Sequence, residues 1–346
     1  MKKIFIIALA AAAMVSCGSA TKYTITGTAE EFTDGKWAYL SIEENRELKN
    51  IDSMAIVGNS FKFVGETETP YSAYVIIKDA DAERPELYAN LYVEPGTIEV
   101  KKLNPEHRSF SAVGTQLNDL TSDFNSKMWE LMQDENAEDA AVMKLYADFI
   151  QANAANIAGQ NMLKQNYYML EPQQVIDAIA AIPAEKQEDF ANMKKSAEQA
   201  LLVEPGNNYI DVVEPTPDGK ELSLKSVIEN KNNKYVLLDF WASWCGPCMA
   251  EVPYLVETYK NFHKKGFEIY GVSFDRDRDA WLKAIKEKEL NWLHVSNVKY
   301  WDTPSRHAYA VNSIPANFLI DCSTGKIIAK GLRGEEVQKK IAELLK

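Results

Sequence analysis

The C-terminal part of this chain predicts an α/β domain built on a mixed central sheet flanked by helices. A helical middle segment and an N-terminal all-β, sandwich-like domain are predicted to precede it. Three patterns lead to this reading. From residue 207 onward, short apolar runs alternate with helical stretches and end in a hairpin signature. Residues 22–110 alternate with period two between turn dipeptides. Residues 115–205 repeat apolar side chains at threes and fours.

With 346 residues the chain is long enough for two or three domains, each with its own core. An apolar content of 46% and a charged content of 25% are those of ordinary globular proteins. The formal net charge of −12 argues against a nucleic-acid partner, which would need clustered Lys and Arg. The cysteines are Cys17, Cys245, Cys248 and Cys322, too few and too unevenly spaced for a disulfide scaffold.

Lys2 and Lys3 precede an apolar run from Ile4 to Met14, which fits an export signal over residues 1–16 and is too short to span a bilayer. Met14-Val15-Ser16-Cys17 resembles a bacterial lipoprotein box, although Met14 stands where that pattern prefers Leu. The resemblance implies that Cys17 is lipidated and ties the chain to a membrane. A plain secretory signal cut near Ser19-Ala20 is the alternative.

In the 22–110 region, strands are expected at residues 23–27, 37–42, 60–64, 74–77 and 97–101. Turns are expected at Asp34-Gly35, Gly58-Asn59 and Glu94-Pro95-Gly96. Trp37, Tyr39, Phe61, Phe63 and Tyr74 are expected in its core. The 115–205 segment shows helical spacing at Leu117, Leu120, Phe124, Met128 and Leu131, then around Met143–Ile150, Met162–Leu170 and Val175–Ile179. Four or five helices are expected there, without Cys, His or Arg.

From residue 207, buried-type strands are expected at 234–240 and 266–273, and a short one at 292–295. A hairpin is expected at 316–321 and 326–329. Helices are expected at 279–288, 304–309 and 335–345. The chemistry concentrates between Asp239 and Pro253, reading DFWASWCGPCMAEVP. Two thiols three residues apart, at the point where a strand turns into a helix, make a redox centre. Unpaired N–H groups and the positive dipole end favour a thiolate at Cys245. Pro247 suits the first helical position, and Cys248 sits close enough to close a small disulfide ring. Half of a zinc site would need a second Cys pair or paired His, and neither is present in the sequence, so no metal or other cofactor is expected.

These residues resemble the thioredoxin superfamily, and within it the membrane-tethered thiol–disulfide oxidoreductases of the TlpA/ResA type. The resemblance rests on Phe240 to Cys248, Glu251-Val252-Pro253, Gly271-Val272-Ser273, Ser313-Ile314-Pro315 and Phe318 to Asp321. Asp275 to Val295 matches the helix and strand which that branch inserts. The N-terminal β region looks like the poorly characterised domain that precedes such modules in envelope lipoproteins. The family implies Cys245 as nucleophile and Cys248 as resolving thiol, and it implies that Asp239 handles the proton of Cys248. Glu251 matches an acidic residue placed near the cysteines; a solvated helix charge is the alternative. Pro315 matches a cis-proline loop, with Ile314 offering backbone groups to a substrate strand. Trp244, Gly246 and Pro247 would complete the contact surface, with Trp241 as packing support and Pro253 as a kink in the helix. Disulfide-containing envelope proteins would be the clients, supplied with electrons by a membrane donor of the thiol-relay type. Gly246-Pro247 is the thioredoxin dipeptide and implies a reductant. Two other readings are a peroxiredoxin-like antioxidant, which would want Thr or Ser at Ala242, and a ligand-binding lipoprotein with an accessory redox module. Cys322 is expected to be a bystander.

Overall fold

A computed structural model describes residues 21–82, 84–102, 110–134 and 137–346. The expected signal peptide, the expected lipidation site Cys17, and His107 lie outside the described residues. The chain divides into two compact units, Met1–Leu170 and Glu171–Lys346.

The first unit contains β1 (Lys22–Thr28), β2 (Trp37–Glu44), β3 (Glu47–Ala55), β4 (Ser60–Glu66), β5 (Tyr71–Lys78), β6 (Leu87–Val93), β7 (Gly96–Lys101) and β8 (Ser111–Val113). They form two four-stranded sheets, ordered β4-β1-β7-β8 and β3-β2-β5-β6. Pairing is antiparallel except between β1 and β7, which run parallel. Ile25, Phe61, Phe63 and Ile98 of one sheet and Ala38, Leu40, Val75 and Leu91 of the other share a single core. The strands that line this core contribute alternate side chains to it, as a sandwich requires. Three strands, β3, β6 and β8, were not expected. In β3 all but one of the residues of ELKNIDSMA are exposed, so this edge strand shows no period two. It is reached through Asn45 and Arg46, both in the left-handed region at φ 55° and 67°. That is the conformation of a tight hairpin turn, without the usual glycine to announce it.

The placement of aromatics needs correction. Phe61 and Phe63 are buried, whereas Trp37 is exposed and stacks on half-buried Tyr39, with Tyr74 also half-buried. Along β2 the small Ala38 and Leu40 face inward, and the aromatics take the other face. Among the described residues three α-helices complete the unit: α1 (Gln116–Gln133), α2 (Asp139–Asn153) and α3 (Ile157–Asn166).

The second unit begins with α4 (Pro172–Ala181) and α5 (Ala191–Leu201), so the helical stretch of residues 115–205 is shared between the two units. The reason is packing that sequence period does not reveal. Val203 joins the core of the second unit, Gly206 N–H donates to Ile327 O at 2.8 Å, and the Gln199 side chain donates to Ala308 O at 2.8 Å.

After α5 come β9 (Val213–Pro215), β10 (Glu221–Ser223), α6 (Leu224–Ile228), β11 (Tyr235–Trp241), α7 (Gly246–Phe262), β12 (Phe267–Ser273), α8 (Arg278–Glu287) and β13 (Leu293–Val295). Then follow α9 (Pro304–Ala308), β14 (Ala316–Asp321), β15 (Lys326–Lys330) and α10 (Glu335–Leu344). The central sheet is ordered β13-β12-β11-β14-β15. β11, β12 and β13 are parallel, and β14 and β15 are antiparallel to their neighbours. This is the mixed sheet the sequence predicts. All residues of β12 and all but Tyr235 of β11 are buried, which explains why both read as continuous apolar runs.

Candidate redox site

The site lies where the central strand β11 ends and α7 begins. Cys245 is the N-cap of α7, and its Sγ accepts from the Cys248 N–H at 3.1 Å. Cys245 and Cys248 are joined in a disulfide, and both sulfur-bearing residues are almost fully buried. Pro247 occupies the first turn, where a missing N–H costs nothing. A side-chain carbon on Gly246 would meet nothing within 4 Å, so this face of the turn is open. Trp244, 47% exposed, stands beside it. An exposed rim of Trp244, Gly246 and Pro247 therefore surrounds a buried disulfide. Helix α7 runs on through Pro253 to Phe262, so the expected kink does not interrupt it.

Across from the pair, the Ile314–Pro315 peptide is cis. Ile314 O lies 3.8 Å from Cys245 Sγ, a contact rather than a donated bond because a disulfide sulfur carries no proton. The loop leads into β14, whose Asn317 is in register with Asp239 of β11. Asp239 is buried, and loss of hydration pushes its carboxyl up to about 7. The Arg333 charge opposes that rise and the Glu251 charge adds to it. Glu251 is not a freely solvated charge: its Oε2 accepts from Gly334 N–H at 2.7 Å.

Four neighbours are assigned no role from the sequence. Asp275 is buried and accepts from Ser243 N–H at 3.0 Å, from Ser243 Oγ at 2.5 Å and from Ser273 Oγ at 2.6 Å. It fastens the loop before Cys245 to the end of β12. Tyr300 packs against Trp244 with ring centroids 5.2 Å apart, and the Arg276 guanidinium lies 4.2 Å from the Tyr300 ring centre. Arg333 donates to Pro315 O, joining the turn after β15 to the proline loop.

Behind the site, Gly271 of β12 is the register partner of both Asp239 and His294. A side-chain carbon there would lie 3.1 Å from His294 Nδ1 and 3.2 Å from both Trp241 Nε1 and Trp292 Nε1. Glycine is what admits these three rings, which makes Trp241 the packing support expected. Burial holds His294 at about 4, and therefore neutral. Cys322 stands apart from the site as a free thiol, and burial pushes it up to about 12, so it is not a nucleophile near neutrality.

A helix-capping disulfide, a facing cis-proline loop and a five-stranded mixed sheet define a thioredoxin-type redox domain. Residues 232–327 match a family described as thioredoxin-like, and residues 23–121 match a domain of unknown function, DUF4369. The thiol–disulfide oxidoreductase ResA of Bacillus thuringiensis is 33% identical over 129 residues, covering 37% of this chain and 69% of the relative. ResA of Oceanobacillus iheyensis is 46% identical over 95 residues, covering 27% of this chain and 47% of its own. The chain belongs to the ResA-type thiol–disulfide oxidoreductases of the thioredoxin superfamily. A solved thioredoxin domain of a thiol–disulfide oxidoreductase from Bacteroides vulgatus is 35% identical, with a TM-score of 0.38, covering 41% of this chain and 99% of that one.

Proposed function

We propose that this oxidoreductase reduces disulfides of exported proteins in the cell envelope, held to a membrane by lipid at Cys17. The observation that carries the chemistry is the placement of the Cys245–Cys248 pair at the start of α7, directly after the strand β11 that carries the buried carboxyl of Asp239, and opposite Ile314-Pro315.

In the reduced form, the Cys245 thiolate attacks one sulfur of a client disulfide. The client S–S bond breaks, one client thiolate leaves, and a mixed disulfide forms on Cys245. The helix start favours that thiolate, since the Cys248 N–H already points at Sγ. Cys248 then gives its proton to the Asp239 carboxylate and attacks Cys245 Sγ. The mixed disulfide breaks, the second client thiolate leaves, and the Cys245–Cys248 disulfide is restored. Two electrons have passed to the client, and a dithiol donor at the membrane must return them. A carboxyl near 7 can take up and release a proton at neutral pH. Ile314 offers backbone groups to an extended client segment, and Trp244, Gly246 and Pro247 form the rest of the contact rim. Glu251 raises the proton affinity of Asp239 and so acts on the same step.

The envelope location rests on the Lys2-to-Cys17 pattern, and Cys17→Ala should abolish incorporation of a fatty-acid analogue. Among the described residues, no helix is long and apolar enough to cross a membrane. Direction is tested by equilibrating the full chain against glutathione redox buffers. A reductant should settle toward the thioredoxin value of about −270 mV, and a potential above about −150 mV would reverse the assignment.

A further inference from the structure

The segment Leu332–Gly334, between β15 and α10, reaches three residues around the site, Asn317, Pro315 and Glu251, without belonging to any recognised motif. Asn317, the register partner of Asp239, holds Leu332 from both sides: Asn317 Nδ2 donates to Leu332 O at 2.9 Å, and Leu332 N–H donates to Asn317 Oδ1 at 2.9 Å. Gly334 N–H donates to Glu251. Gly334 has φ 52°, a left-handed conformation that suits glycine and lets its amide turn toward α7. Between them, Arg333 donates through one terminal nitrogen to Pro315 O at 2.5 Å and through the other to Leu332 O at 2.9 Å. Its own N–H donates to Glu336 Oε2 at 3.2 Å.

We propose that Arg333 is a positioning residue of the redox centre, anchoring the proline loop through Pro315 O and carrying a fixed positive charge on the segment bonded to Asn317, the register partner of Asp239. An arginine suits both tasks, because it is always charged and its planar fork can hold two carbonyls at once. Around Asp239 the charged groups are Glu251 on α7 and Arg333, with Glu336 of α10 bound to the Arg333 backbone. The register neighbours Gly271 and Asn317 carry no charge, His294 is neutral, and Cys245 and Cys248 are joined to one another. Arg333 thus counters both burial and Glu251. It keeps the carboxyl near neutrality, where it can release as well as accept a proton. This inference rests on the proton role proposed for Asp239 only for its kinetic consequence.

The test is titration of the full chain with 13C-labelled Asp carboxyls, the Asp239 signal being assigned by its loss in Asp239→Asn. Arg333→Met should raise the Asp239 midpoint by about one pH unit or more, and Arg333→Lys, which keeps the charge, should move it much less. In the same variants, KM for a disulfide peptide should rise about three- to tenfold in both, because a lysine lacks the fork that holds Pro315 and Leu332 together. An unchanged Asp239 midpoint in folded Arg333→Met overturns the electrostatic half, and an unchanged KM in both variants overturns the anchoring half. Should Arg333→Met fail to fold, the midpoint in Arg333→Gln decides in its place. If the midpoint moves while Asp239→Asn leaves the pH profile of reduction untouched, the Arg333 proposal stands and the proton role of Asp239 fails.

Discussion

Both units bury a carboxylate, and they use it differently. In the β-rich unit, buried Glu94 accepts from Leu117 N–H at 2.7 Å, filling one of the free amides at the start of α1. Next to it, Asn118 holds the backbone of Tyr92 from both sides, at 2.9 and 2.8 Å. These contacts close chain ends. In the redox unit, Asp275 is used in the same manner, binding Ser243 and Ser273. Asp239 differs, because burial and two opposed charges set its state and bring its carboxyl to about 7. A buried carboxylate met by backbone donors fixes structure, whereas one held mainly by burial is ready to exchange a proton.

Substitutions at the two kinds of carboxylate should separate these uses. Asp239→Asn should lower disulfide reduction about 10²- to 10⁴-fold at neutral pH, the usual contribution of a positioned acid–base group, in an assay with a peptide disulfide. The same change should stabilise the protein at alkaline pH. The folded carboxyl titrates near 7 and the unfolded one near 3.8, so the folded state binds more protons between those values. Stability of the parent chain therefore falls as pH rises from about 4 to about 7 and levels off above, by up to about 4 kcal/mol from this group. Denaturant melts across that range should show the fall in the parent and not in Asp239→Asn. Glu94→Ala should do the reverse: it should cost about 1–3 kcal/mol by loss of a buried charged hydrogen bond and leave turnover unchanged. Gly271→Ala should cost about 1–3 kcal/mol, because its added carbon crowds three ring nitrogens at 3.1–3.2 Å. A Gly271→Ala protein as stable as the parent would contradict the packing described behind Asp239.

Much of the redox unit was legible because its signals are local. β11 and β12 are buried on both faces and read as apolar runs, and the cysteines and Asp239 sit within a few residues of one another. Pro315 was reached only through the family pattern. Arg333 lies in a Leu-Arg-Gly turn that reads as ordinary surface, and only the return of β15 beside β14 brings it to Pro315. Asp275 was read as the start of an insertion, while its contacts with Ser243 depend on the parallel pairing of β11 and β12. In the β-rich unit, the exposed edge strand β3 and the outward-facing Trp37 escaped for a shared reason: alternation shows that one face is buried but not which bulky residues occupy it. The unit boundary at 170/171 was hidden for a similar cause, since helical period does not identify the core against which a helix packs.

The most direct test of the central claim compares Cys248→Ser with Cys245→Ser, each reduced, mixed with a disulfide peptide, acid-quenched and weighed intact by mass spectrometry. The account predicts a stable adduct of one peptide half on Cys248→Ser and little or none on Cys245→Ser. Equal adducts on both, or an adduct confined to Cys245→Ser, would contradict the assignment of Cys245 as the attacking sulfur.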